Sequence, residues 1–108
     1  MAQPTFINLF GVDAIYNAST NKFEISKAAL EAAGITNAAS ATPIEILAGI
    51  TKNAHVWLSI NTDEAVNSTS RLDYSAPFFR NNLNKSSFAY NMQFFGDFAQ
   101  PEFDPDQL

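Results

Sequence analysis

The chain has no cysteine and a single histidine, His55. Those two facts exclude a disulfide framework, a thiolate metal site and any multi-histidine metal centre. Glycine is scarce. Gly11, Gly34, Gly49 and Gly96 stand too far apart for a phosphate-cradling loop. Charged residues make up only 16%, against about 25% in an average chain. No apolar run approaches the roughly 18 residues that a membrane helix needs, so no membrane partner is expected. The opening Met1-Ala2-Gln3-Pro4-Thr5-Phe6 lacks the basic and apolar parts of a signal peptide, and a cytoplasmic location is expected.

What is present is 46% apolar residue in 108 positions, with 16 Ala, 11 Asn and 10 Phe. That much apolar residue in a chain this long supports one hydrophobic core without staples. The formal charge is −5, but Asp97, Glu102, Asp104 and Asp106 crowd the last twelve residues, leaving a body of nearly zero charge. The six basic residues are scattered, so no phosphate-neutralising surface forms and no nucleic-acid partner is expected. The expected organisation is one α+β domain over 1–98 and an acidic, proline-containing tail over 99–108, extended or disordered.

The period of Phe6, Ile7, Leu9 and Phe10 is undecided between helix and strand. Two short alternating segments then flank the polar turn Asn17–Lys22 and read as a hairpin. Ser26 is a good helix N-cap before the helix formers of 27–33, and Gly34-Ile35 is a matching stop. Thr42-Pro43-Ile44-Glu45 places a hydroxyl, a pre-organised proline and a carboxylate in capping-box order. Apolar positions 43, 46, 47, 50, 54, 57 and 58 continue at helical spacing, which predicts a helix over about 43–60. Glu45, Gly49, Lys52 and Ser59 fall on its other side, Gly49 and Asn53 weaken it, and His55 reads as a rim residue.

The last third alternates as a long hairpin. A turn centred on Leu83 sets Leu72 against Phe94, Tyr74 against Met92, Ala76 against Tyr90 and Phe78 against Phe88. Pro77 lacks an N–H, so its strand is an edge or is bulged there. Two such hairpins, plus a helix with an apolar stripe, predict a four-stranded antiparallel sheet packed against the long helix, with the short helix beside it.

No constellation of reactive groups stands out. His55 has no orienting partner nearby in sequence. Asp63-Glu64 and Asp104-x-Asp106 lack the remaining ligands of a calcium loop. The expectation is a protein without catalytic residues, metal or cofactor: a structural or assembly subunit. It would bind copies of itself or another protein through strand edges, the hairpin tip or terminal arms. Phe78, Phe79, Leu83, Phe98 and Phe103 are the candidate interaction residues. The alternative is a small binding module using a groove between the long helix and the C-terminal hairpin, lined by Trp57, Tyr74 and Tyr90. An enzyme built on carboxylates is the third reading.

Overall fold

A computed structural model of the chain describes residues 4–60, 71–81, 86–95, 99 and 101–107. The order is α1 (Phe6–Phe10), β1 (Ile15–Asn17), β2 (Lys22–Glu24), α2 (Lys27–Ala32), α3 (Pro43–Ile60), β3 (Arg71–Asn81) and β4 (Ser86–Phe95). Single 3₁₀ turns lie at Ala38–Ser40 and Pro105–Gln107. The protein is α+β, with antiparallel strands and one long helix. It divides into two units, Pro4–Trp57 and a second within Leu58–Leu108 built around the β3–β4 hairpin.

The helices begin and end where local chemistry satisfies the backbone. Ser26 Oγ accepts from the Ala29 N–H (3.0 Å) and donates to the Val12 carbonyl (2.7 Å), so one hydroxyl caps α2 and ties it to the preceding loop. At the other end, the Gly34 N–H donates to the Glu31 carbonyl and the Ile35 N–H to the Leu30 carbonyl. That is the bond pattern of a Schellman stop, and Gly34 has the positive φ such a stop requires. The Thr42–Glu45 capping box forms in both directions, at 3.1 and 3.2 Å. The helix that follows runs unbroken to Ile60.

The docked face of α3 holds most of the expected stripe, with Ile46, Ile50, Ala54, Trp57 and Leu58 buried or half-buried, and is wider than expected. Gly49 is buried at the closest approach to Leu30, Ala33 and Ile35, while Ile44 and Leu47 remain exposed. Asn53 Nδ2 donates to the Ala29 carbonyl (2.9 Å) and Lys52 Nζ to the Ala33 carbonyl (2.7 Å). The residues that weaken an isolated helix are therefore the ones that join α3 to α2. Glycine permits the close approach, and the two polar side chains bond to carbonyls in the last turns of α2. From residue 54 a second face is buried, through Ala54, His55 and Leu58. At 100° per residue these three share a side that is distinct from the 46, 49, 50, 53 side. This corrects the placement of His55 at the rim; it is 3% exposed.

The expected single four-stranded sheet is replaced by two separate two-stranded ladders, β1–β2 and β3–β4. Alternation of apolar residues selects the face a strand buries, but not which neighbour its edge joins. The first ladder is short, pairing Ile15 with Glu24, Tyr16 with Phe23 and Asn17 with Lys22. Asn17 Oδ1 holds its turn by accepting from the Ser19 and Thr20 N–H groups.

In the second ladder, Arg71 to Ser75 pair with Phe95 to Asn91 in the expected register. Above that the register shifts by one between Ser75 and Phe78. Phe78 thus pairs with Ala89, and Phe79 takes the place opposite Phe88 that was expected of Phe78. The cause is a bulge in which Ala76 and Pro77 together face Tyr90. Proline cannot donate a ladder hydrogen bond, and one extra residue absorbs the missing bond.

Candidate functional site

The described core is rich in small side chains. Its buried apolar members are Ala14, Ala29, Leu30, Ala33, Ala38, Ala54 and Leu58. Many larger apolar groups lie outside it: Ile44, Leu47, Val56 and Ile60 are exposed along α3, and the exposed aromatic rings gather in two places, one in each unit.

In the first unit they form an aromatic cleft. Thr5 caps α1 by accepting from the Asn8 N–H (3.2 Å), and Asn8 Oδ1 accepts in return from the Thr5 N–H (3.0 Å). This box fixes a helix too short to persist alone, and its spacing sets Phe6 and Phe10 on one side. Phe6 lies 5.5 Å, ring centre to ring centre, from Phe23 of β2, and Phe23 lies 4.8 Å from Tyr16 of β1. Between these rings and Ala14, Ile15, Glu24 and Ile25 opens a cleft of about 260 Å³. Phe23, at 69% exposure, and Phe6 form its outer walls. Glu24 is the one ionisable lining residue, and its carboxylate accepts from Asn17 Nδ2 at 3.1 Å. Sequence reasoning missed this cleft. The available signal was Thr5-x-x-Asn8 around Phe6 and ahead of Phe10, a version of the capping box with an amide in place of the carboxylate.

In the second unit the aromatics line the β3–β4 ladder. The Phe79 and Phe88 rings meet at a tilt of 42° with centres 4.9 Å apart, and both are more than half exposed. Tyr90 and Phe94 are also exposed on β4. Strand alternation places Phe88, Tyr90 and Phe94 on one face, and the register adds Phe79 to it. Phe103 of the tail lies 5.7 Å from Phe94.

Of the sequence-derived interaction candidates, Phe79 therefore belongs to the exposed ring pair, and Phe103 lies against β4. Phe78 occupies the register position opposite Ala89. Leu83 and Phe98 lie outside the described residues. Of the ligand candidates, Trp57 is half-buried near the end of α3, in the first unit. Tyr74 pairs with Met92 and Tyr90 faces the bulge, both in the second unit.

The acidic pair of the tail has a local role, since Asp104 Oδ1 accepts from the Asp106 N–H at 3.0 Å and shapes the terminal turn. Asp63 and Glu64 lie outside the described residues. Among the described residues, no group of three or more His, Asp or Glu converges as metal ligands would. No described helix is long and apolar enough to cross a membrane. In comparisons with known proteins, no family model, no curated protein and no solved structure matches the chain.

Proposed function

We propose that the chain is a non-enzymatic structural or assembly subunit that associates with copies of itself through the β3–β4 hairpin. The observation that carries this reading is the distribution of apolar size. Alanines fill most of the described core, while Phe79, Phe88, Tyr90 and Phe94 stand exposed on a ladder of two strands. A hairpin of two strands is marginal in water by itself. Its exposed rings gain about 25 cal/mol for each Å² of apolar surface removed from solvent. Contiguous apolar surface of this kind marks a contact face on soluble proteins. The four acids of the last twelve residues carry most of the −5 charge, so the rest of the chain adds little repulsion between copies.

Sedimentation velocity over a hundredfold range of concentration tests the proposal. The expected result is a mass that rises above the 11.8 kDa of the single chain. A chain that stays monomeric throughout that range is not an assembly subunit of this kind.

A further inference from the structure

We infer that β4 pairs with β4 of a second copy, edge to edge and antiparallel about a two-fold axis at Asn91, so that two hairpins join into one four-stranded sheet. This rests on the self-association proposed above and names the edge and the register through which it occurs.

The first argument is the contrast between the two strands. Among the described residues the ladder ends at β3 and β4, so each has one side without a neighbouring strand. A strand edge is a template for another strand unless charge, proline or a bulge blunts it. β3 has all three: the charges of Arg71, Asp73 and Arg80, the missing N–H of Pro77, and the bulge between Ser75 and Phe78. β4 has none of them. Ser86–Phe95 is ten consecutive residues without a charge, a proline or a glycine. The occupant follows from the same comparison. β1 is three residues long, β2 brings Lys22 and Glu24 to any pairing, and β3 brings its three charges. A second β4 brings no charge and has the same length.

The second argument is register. A two-fold axis normal to the sheet keeps the same face of both copies on the same side, so even-numbered residues of β4 must meet even-numbered residues. With the axis at Asn91, Phe88 stands opposite the partner's Phe94 and Tyr90 opposite the partner's Met92. Each exposed ring of β4 then meets an apolar residue on its own face. An axis at Tyr90 would set Phe94 against Ser86.

The acidic tail is the charge that two copies must keep apart. It reaches β4 where Phe103 lies 5.7 Å from Phe94. Antiparallel pairing about Asn91 puts the two Phe94 positions six residues apart along the sheet, roughly 20 Å. That exceeds the ~8 Å over which exposed charges act at physiological salt. The contact is isologous, and the blunted edge of β3 is all that the joined sheet presents, so assembly stops at two copies.

A charge-swap experiment reads the axis directly, because position 91 faces itself across it. Asn91→Lys sets like charges opposite each other, and so does Asn91→Asp; both leave the rings of Phe79, Phe88, Tyr90 and Phe94 in place. By sedimentation velocity the wild type is expected at twice the 11.8 kDa of one chain. Each variant alone is expected at the single-chain mass, and their equimolar mixture at the wild-type mass. Far-ultraviolet circular dichroism checks that each keeps the native secondary structure. If a charge at 91 unfolds the hairpin, Asn91→Cys reads the same axis, since the chain has no other cysteine. Opposed residues of an antiparallel pair have Cα atoms about 4.5–5.5 Å apart, within disulfide reach. Mild oxidation should join Asn91→Cys into a covalent dimer far faster than Ser75→Cys on β3.

Four outcomes overturn the inference. If both charged variants assemble like the wild type, or Asn91→Cys crosslinks no faster than Ser75→Cys, the β4 edge is not the contact, and the proposed self-association stands without it. If the mixture stays monomeric, Asn91 does not lie on a two-fold axis. If the wild-type mass climbs past two chains, the sheet continues beyond β3 and the closed pair is wrong. If the wild type is itself monomeric, both readings fall together.

Discussion

Gly11 and Gly49 form a matched pair in which the same substitution to alanine has very unequal consequences. Gly11 ends α1 with φ +91° and ψ −176°, a region of backbone space that side chains with a Cβ scarcely enter. Its N–H donates to the Ile7 carbonyl at 2.9 Å and its carbonyl accepts from Ala14 at 3.2 Å, so the conformation is held from both sides. A Cβ at Gly11 would stand 2.5 Å from Ala29 Cβ and 3.4 Å from Ala29 Cα, and Ala29 is itself buried on α2. A neighbouring alanine has no torsion by which to move aside.

Forcing the backbone costs about 1–3 kcal/mol, and overfilling a packed contact costs about 1–3 kcal/mol more. The reduced freedom of the unfolded chain returns about 0.4–1 kcal/mol. Gly11→Ala is therefore expected to lower the stability of the Pro4–Trp57 unit by about 2–4 kcal/mol, against the ~5 kcal/mol at the low end for small domains.

Gly49 lies within α3, where alanine gains about 1 kcal/mol of helix propensity over glycine. The Cβ there would meet Ile35 Cδ1 at 3.1 Å and Leu30 Cδ2 at 3.4 Å. Both are far ends of flexible side chains. The gain and the crowding are of similar size, and Gly49→Ala is expected within about 1 kcal/mol of the wild type. Urea denaturation followed by Trp57 fluorescence measures both variants. A Gly11→Ala protein within about 0.5 kcal/mol of the wild type would falsify the reading of the α1–α2 contact. So would a Gly49→Ala loss larger than that of Gly11→Ala.

Two cap variants and one deletion probe other joints. Thr42→Ala removes the bond from the Glu45 N–H to Thr42 Oγ1 and leaves the one from the Thr42 N–H to Glu45 Oε1, and thermal melting should show a loss of about 0.5–2 kcal/mol. Ser26→Ala should cost more than Thr42→Ala in the same assay, because Ser26 Oγ also donates to the Val12 carbonyl at 2.7 Å; equal losses would mean that this second bond contributes nothing. Deleting Ala76 removes the extra residue of the bulge. Cross-strand NMR contacts for Tyr74–Met92 and Phe79–Phe88 should then both persist, whereas loss of either shows that the bulge is needed for the register on one side of it.

The parts of the fold that were legible in the sequence are those decided within four residues. Ser26, Gly34-Ile35 and the Thr42–Glu45 box each satisfy backbone groups next to themselves, so their chemistry is complete in a short window. Pro77 likewise announced an irregular strand, because the missing N–H is a property of the residue. The errors lie where two segments distant in sequence meet. That the docked side of α3 extends to Gly49 and Asn53 was decided by the backbone approach at Gly49 and by Asn53 bonding to a carbonyl 24 residues away, and a count of apolar positions is blind to both.

The bulge shows how a local fact becomes a non-local error. Proline fixed where the irregularity would fall but not how many residues it would absorb, and one residue was enough to exchange Phe78 for Phe79 opposite Phe88. The aromatic cleft escaped for the same reason. Phe6 and Phe10 come from a helix whose N3 position holds Asn8 in place of the usual carboxylate, and the third ring, Phe23, arrives from a strand beyond the intervening hairpin turn. Each ring taken singly reads as a residue in search of a core. Only their convergence around an open space, with Glu24 at its lining, makes a surface with the dimensions of a side chain.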